Sequence, residues 1–245
     1  MAEPVHVYLI AGGKYHDIDF ARLELLKLLA EHERIRVRIG ADYSDQAAIA
    51  GADMLVTYTC DVQPLGDEIN GIKNFLGAGR RWLALHGTNS VLKFLENGLV
   101  DSPKTSPEYM DILGSQFVAH PPICRFEVRV KDHEHVMSRG IDDFWVEDEL
   151  YLADYAEGNH VIMTTEFEGK ATGFVREAWE HGEHAVLYHR AHSGGEVMYL
   201  TLGHCRGKYD LRELVPEYPY IERGAWNSPT FYELLRRGIR WAARL

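Results

Sequence analysis

The chain reads as an α/β protein with a mostly parallel central sheet and helices on both faces. Three observations point there. Apolar strand-like runs alternate with amphipathic helix-like runs through the first third. Glycine turns punctuate that alternation. Polar, titratable residues follow the apolar runs directly, where open parallel sheets bind their ligands. Such alternation implies right-handed crossovers between parallel strands.

The elements follow in order. "VHVYLIAGG" is a buried strand ending in a glycine turn. "DFARLELLKLLAEHE" is helical, with Phe20, Leu23 and Leu26 on one face and Asp19 placed to cap it. "IRVRIG" is a second strand, "DQAAIAG" a short helix and "ADMLVTYT" a third strand. "LGDEINGIKNFLGAG" is a second amphipathic helix, with Ile69, Ile72, Phe75 and Leu76 in phase and a glycine beyond its end. "RWLALHG" is the fourth strand, and the helix-compatible "NSVLKFLEN" follows it. A strand that turns sharply into a helix is where many α/β enzymes place a nucleophile. Here that turn holds His86.

The middle is less regular. "DSPKTSPEYMDILGSQFVAHPP" has loop and short-helix character, and "ICRFEVRVKD" alternates like a half-exposed strand. "FWVEDELYLADY" and "HVIMTTEF" read as extended segments. "AVLYHRAHSGGEVMYLTLGH" reads as a hairpin around Ser193-Gly194-Gly195. A helix, "SPTFYELLRRGIRWAARL", closes the chain, with Ser228 as its cap and Pro229 at its first position. With no repeat, low-complexity segment or linker, residues 1–245 are expected to form one domain.

Composition narrows the function classes. At 46% hydrophobic residues, the 245-residue chain can bury a sizeable core. A formal net charge of -11 argues against nucleic acid as a partner. No run approaches the ~18 apolar residues of a membrane span, and "MAEPVHVYLIAGG" reads as a first strand without a basic leader. Cys60, Cys124 and Cys205, with no CxxC, fit reduced thiols and a cytoplasmic location. A homodimer is the base-rate expectation for a soluble enzyme.

Candidate chemistry gathers at strand ends. His86 ends the fourth strand, and His204 ends the late strand "VMYLTL". Each stands beside a glycine. If the late strand runs parallel to the first four, the two imidazoles meet at one rim; if antiparallel, they do not. His120, in "FVAHPP", and Glu149, in "VEDELYL", are further candidates. Each has a plainer reading: a turn residue for His120, a solvated carboxylate for Glu149, and a helix cap for His16. Gly12-Gly13 matches neither common phosphate-loop pattern, so nucleotide binding is rejected.

Taken together, "GGKYHD", "LALHG", "GSQFVAHP", "DHEHVMSRGIDDFWVEDELY", "VMYLTLGH" and "FYELLRRGIRWA" resemble the ThuA-like (trehalose utilisation) family over almost the whole chain. The chain departs from the family pattern at Gly114-Ser115, at Val136 after His135, and in "VLYHRAHSGGEV" before the last strand. The resemblance implies a flavodoxin-like, class I glutamine amidotransferase-like three-layer sandwich. In that related fold a cysteine would stand at His86, and His204 matches the general-base histidine. An imidazole is a poor acyl acceptor in place of a thiolate, so a glutaminase is not expected.

The resemblance further implies an enzyme of sugar catabolism, acting on a trehalose-type disaccharide or keto-sugar as a hydrolase, lyase or isomerase. Such reactions need a base and an acid near neutral pH, which imidazoles supply. His86, His120 and His204 are the candidates, with Glu149 orienting one of them or serving as the second acid or base. His16, Tyr151 and Trp179 are candidate sugar contacts. A second version places zinc or another divalent metal on His86, His120 and His204, with Glu149 beside them, although no H-E-x-x-H motif is present. The alternative class is a non-catalytic sugar- or partner-binding module that lost the amidotransferase nucleophile.

Overall fold

A computed structural model describes residues 3–245. The alternating start forms β1 (Val5–Gly13), α1 (Ile18–Ala30), β2 (Ile35–Gly40), α2 (Gln46–Gly51), β3 (Met54–Cys60), α3 (Asp67–Gly77) and β4 (Arg81–Leu85). A 3-10 turn at His86–Asn89 leads to the short strands β5 (Lys93–Phe94) and β6 (Val100–Asp101). Next come α4 (Pro107–Leu113), β7 (Ser115–Ala119), β8 (Cys124–Val130), β9 (Phe144–Asp148) and β10 (Leu152–Tyr155). The long strands β11 (His160–Lys170) and β12 (Ala178–His192) precede β13 (Gly195–Leu200), and α5 (Pro229–Ala243) ends the chain.

Nine strands form the main sheet in the order β2-β1-β3-β4-β13-β12-β11-β8-β9. The first five are parallel neighbours. From β13 onward each pair is antiparallel, so the sheet as a whole is mixed. The parallel half has doubly wound order, with its switch point between β1 and β3, and a crevice is expected beyond the carboxyl ends of those strands. Because β13 runs parallel to β4, with Leu200 opposite Leu85, His86 and His204 leave the sheet at the same rim.

The strand period explains the layering. Along β1, Val5, Val7, Leu9 and Ala11 enter one core, and Tyr8 and Ile10 enter the other. Leu25 and Leu29 of α1 and Leu234 and Leu235 of α5 cover the first face. Ile49 of α2, Ile72 and Phe75 of α3 and Ile112 of α4 cover the second. The result is a three-layer sandwich. Among the described residues no helix is long and apolar enough to cross a membrane.

Three local expectations change. Asp17, not Asp19, caps α1, accepting the amide of Phe20 at 3.1 Å. Ser228 precedes α5, with Pro229 in its first turn, but makes no side-chain cap bond. The segment after His86 makes one 3-10 turn and then runs extended. Side chains take the amides a helix would use: Asn89 N–H donates to the Tyr199 hydroxyl (2.9 Å) and Leu92 N–H to Asp61 (3.1 Å). Tertiary partners thus override local helix propensity. The β12–β13 hairpin forms where expected, through Ser193 and Gly194 at φ 52° and 93°, the paired positive values of a tight two-residue turn.

Candidate functional site

Each candidate side chain is placed by a strand end. His86 begins the turn after β4 with φ 44°, a left-handed backbone that a non-glycine residue adopts only when its surroundings impose it. Gly87 permits the bend, because a Cβ there would lie 2.6 Å from the Thr59 carbonyl oxygen. His16 follows β1 and His204 follows β13. Glu149 follows β9 directly.

The neighbouring Asp148 ties two of these loops together. Its buried carboxylate accepts the amides of Glu149 (2.9 Å), Gly203 (2.7 Å) and His204 (2.9 Å). Burial pushes its pKa up, while His86, His204 and those amides pull it down.

His16, His86, Glu149 and His204 form one buried group, with a ligand atom from each lying within 4.8 Å of every other. The hydrogen bonds on the far side of each imidazole fix which nitrogen faces inward. His86 Nδ1 donates to the Thr201 carbonyl (2.8 Å), so Nε2 keeps its lone pair. His16 Nδ1 donates to the Lys14 carbonyl (3.3 Å), again leaving Nε2 as an acceptor. The two Nε2 atoms lie 2.9 Å apart, a hydrogen bond when either ring carries its proton there and an acceptor pair open to a cation when both keep it on Nδ1. His204 Nε2 donates to Glu222 (2.8 Å). Its Nδ1 makes no hydrogen bond, though it lies 3.0 Å from Glu149 Oε1. The inward nitrogens and the carboxylate lie so close that protons or a cation must join them. Metal-binding histidines usually have the outer nitrogen bonded to a carbonyl or carboxylate in this way. The 2.9 Å nitrogen separation approaches the about 3.3 Å of two nitrogens on a tetrahedral zinc. The buried group could hold a metal.

Without an ion, protons must take that part. Burial depresses the pKa of His16 to about 3, against the pull of Glu149. Burial also disfavours His204 as a cation, but Glu149 and Glu222 outweigh it and raise the pKa to about 9. Glu149 is held well below the carboxylate range: burial opposes its charge, and His120 and His204 overcome it. Arg206 adds to this, donating to Glu149 (3.3 Å) and to Glu222 (3.0 Å).

Above the group lies a cavity of about 280 Å³. His16, Glu149, Tyr151, His120 and Arg206 form its polar floor and wall, and Phe94, Phe117 and Phe174 its apolar sides. That volume is at the small end for ligand pockets. The Tyr151 hydroxyl reaches His86 Nε2 at 3.2 Å.

The grouping differs from the sequence expectation in its members. His16, read as a sugar contact or helix cap, is the third imidazole of the tight group. His120, read as a ligand, stands on the cavity wall with Nε2 3.5 Å from Glu149 and Nδ1 donating to the Pro121 carbonyl (2.7 Å). Burial lowers its pKa, which keeps it neutral with a free lone pair. Trp179, read as a sugar contact, is not among the residues lining this cavity. Its indole N–H donates to the Arg176 carbonyl (3.0 Å), and the Arg176 guanidinium covers its ring at 3.7 Å. Asp148, Arg206 and Glu222 were not foreseen. Asp148 adjoins Glu149 and Arg206 stands two residues past His204, so nearness in sequence was a usable signal for both; Glu222, in "YIERG", offered none.

A family model described as ThuA, trehalose utilisation, matches residues 5–215. No curated protein matches the chain. Among solved structures, a ThuA-like protein from Bacteroides uniformis aligns with a TM-score of 0.70 at 14% identity, covering 99% of this chain and 93% of that one. A ThuA-like protein from Parabacteroides merdae aligns with a TM-score of 0.67 at 15% identity, over 98% and 90% of the two chains. A cold-adapted β-galactosidase from Rahnella sp. R3 contains a similar fold, with a TM-score of 0.59, 12% identity and 100% of this chain matched to 32% of that one. At these identities the likeness is one of fold.

Proposed function

The chain belongs to the ThuA family of trehalose utilisation, which supports a role in sugar utilisation, and from that premise we propose a metal-dependent enzyme acting on a trehalose-type disaccharide or keto-sugar. His16, His86, Glu149 and His204 would hold a divalent ion of the zinc class, whose nitrogen and oxygen preferences match this donor set. When bound, such an ion supplies Lewis-acid polarisation of a substrate oxygen. The observation that carries the reading is the convergence of inward-facing lone pairs, each backed by an outer hydrogen bond.

His120 is the mobile-proton residue. It lines the cavity with Nε2 3.5 Å from Glu149, burial favours its neutral form, and it would take a proton from water or from a carbon beside a carbonyl. Tyr151 holds its proton, since burial raises its pKa well above the ordinary value, and so donates rather than accepts. Arg206 keeps Glu149 ionised and fixed. Phe94, Phe117 and Phe174 offer faces for the apolar side of a sugar ring. Glutamine hydrolysis does not suit this site, because the elbow carries His86 and the Cys60 thiol beside the cavity is pushed up by burial, away from its thiolate. The free cysteines fit a cytoplasmic setting.

The test is metal analysis of protein purified without a histidine tag, followed by a screen of trehalose-type disaccharides and their keto forms. One ion per chain and turnover lost in His86→Ala are expected. If wild type holds no ion and turns over no sugar, while still binding one, the chain is a binding module and the catalytic reading fails.

A further inference from the structure

Gly207–Ile221 is a long excursion closed at its base by one residue pair. Arg206 N–H donates to the Glu222 carbonyl (3.0 Å), and Glu222 N–H returns the bond (2.8 Å). The same two side chains are ion-paired, and each also touches the buried group below: Arg206 on Glu149, Glu222 on His204. Glu222 therefore has two ends. Oε2 accepts from His204, and Oε1 accepts from the Tyr218 hydroxyl of the excursion at 2.9 Å.

The excursion itself is loosely held. Leu211 and Leu214 reach down to line the cavity, yet Tyr209, Tyr220 and Ile221 are more than half exposed. Its tip is tied to the β1 side by the solvent-facing Lys14–Glu213 pair at 3.4 Å, and such pairs contribute little. A segment with few buried contacts, anchored at one narrow base, opens locally at low cost.

We propose that Glu222 is a positioning residue that couples metal occupancy of the buried group to closure of Gly207–Ile221 over the cavity. The inference rests on the metal reading given above. Its chemistry is direct. An ion on His204 Nδ1 takes the place of the proton held there and ties the ring to His16, His86 and Glu149, so the outer Nε2–H donates to Glu222 from one fixed position. A carboxylate held firmly by His204 and Arg206 presents its other oxygen to Tyr218 in one fixed place, and that seats the excursion.

The experiment measures hydrogen exchange across residues 207–221 in the full chain, with and without zinc, alongside cobalt titration read by the visible absorption of the bound ion. In wild type, zinc should slow exchange of this segment by roughly tenfold or more. Glu222→Gln should weaken cobalt binding by about 10- to 100-fold, the usual range for a lost outer-shell carboxylate, and alter the absorption band. Tyr218→Phe leaves Glu222 on His204, so cobalt binding should stay within about twofold of wild type while the zinc-dependent protection is lost. Unchanged cobalt affinity in a folded Glu222→Gln protein, or protection in Tyr218→Phe equal to wild type, overturns the coupling and leaves the metal reading standing. No cobalt binding in wild type overturns both.

Discussion

The two halves of the sheet are built by different rules. The parallel half, β2-β1-β3-β4-β13, is covered by helices on both faces, and β3 is buried at every position. In the antiparallel half, β8 and β9 alternate buried with half-buried or exposed residues, while β11 and β12 are continuously buried only in their middle stretches. The parallel half delivers His16, His86 and His204 from its carboxyl rim, each with a ring nitrogen turned toward the others. The chain of the other half delivers Glu149 from the end of β9, and His120 follows β7, which pairs with β10 outside the main sheet. One half thus supplies three imidazoles, and the other the Glu149 carboxylate and His120. The site exists only where the two meet.

The comparison can be broken most sharply at the parallel rim. His86→Ala or His204→Ala removes a donor from the buried group, and metal content should fall from one ion per chain to near zero, with turnover down at least ~10³-fold; a variant that retained a full ion would show the ligand set to be wrong. A step smaller is His120→Ala. If it is the proton-transfer residue and not a ligand, metal content stays at the wild-type level and turnover falls by about 10²- to 10⁴-fold. Loss of the ion in this variant would return His120 to the ligand set.

Asp148→Asn tests the seam between the halves. It weakens the three amide bonds that fasten the His204 loop to Glu149 and should cost about 3 kcal/mol of stability in urea unfolding. A loss below about 0.5 kcal/mol would mean that the seam does not depend on this carboxylate.

The smallest effect lies wholly in the antiparallel half. His184 of β12 is buried and neither ring nitrogen is hydrogen-bonded. Burial, then the Arg176 charge, lowers its pKa below the ordinary 6.5. The unfolded chain therefore takes up the proton first as pH falls, and stability is lost downward through pH 6.5. His184→Phe should flatten that part of the stability–pH curve, and an unchanged slope would assign it to other groups.

How much of this was readable beforehand follows the same division. In the parallel half, period and glycine turns agree with each other, so β1 to β4 could be assigned from the residues alone. The meeting of His86 and His204 was readable up to one binary fact, the direction of β13, which depends on pairing across more than a hundred residues. The place of Trp179 away from this cavity was not readable, because an aromatic residue in a polar stretch suits a sugar and an arginine equally well, and here the Arg176 guanidinium covers its ring. The place of His16 in the buried group was not readable either, because it depends on a partner 70 positions away. The segment after His86 defeated local propensity because Tyr199 and Asp61, both remote, captured its amides.

The hairpin at Ser193-Gly194 places His204 on the far side of a tight, exposed turn from the other three donors. A nick there would leave two fragments, 1–193 and 194–245, with the donor set divided three to one. An ion gripping both would act as a removable rivet between pieces that are adjacent strands of a single sheet. Reassembly of the split protein should then follow zinc concentration, which makes this turn a natural place to engineer a metal-triggered switch.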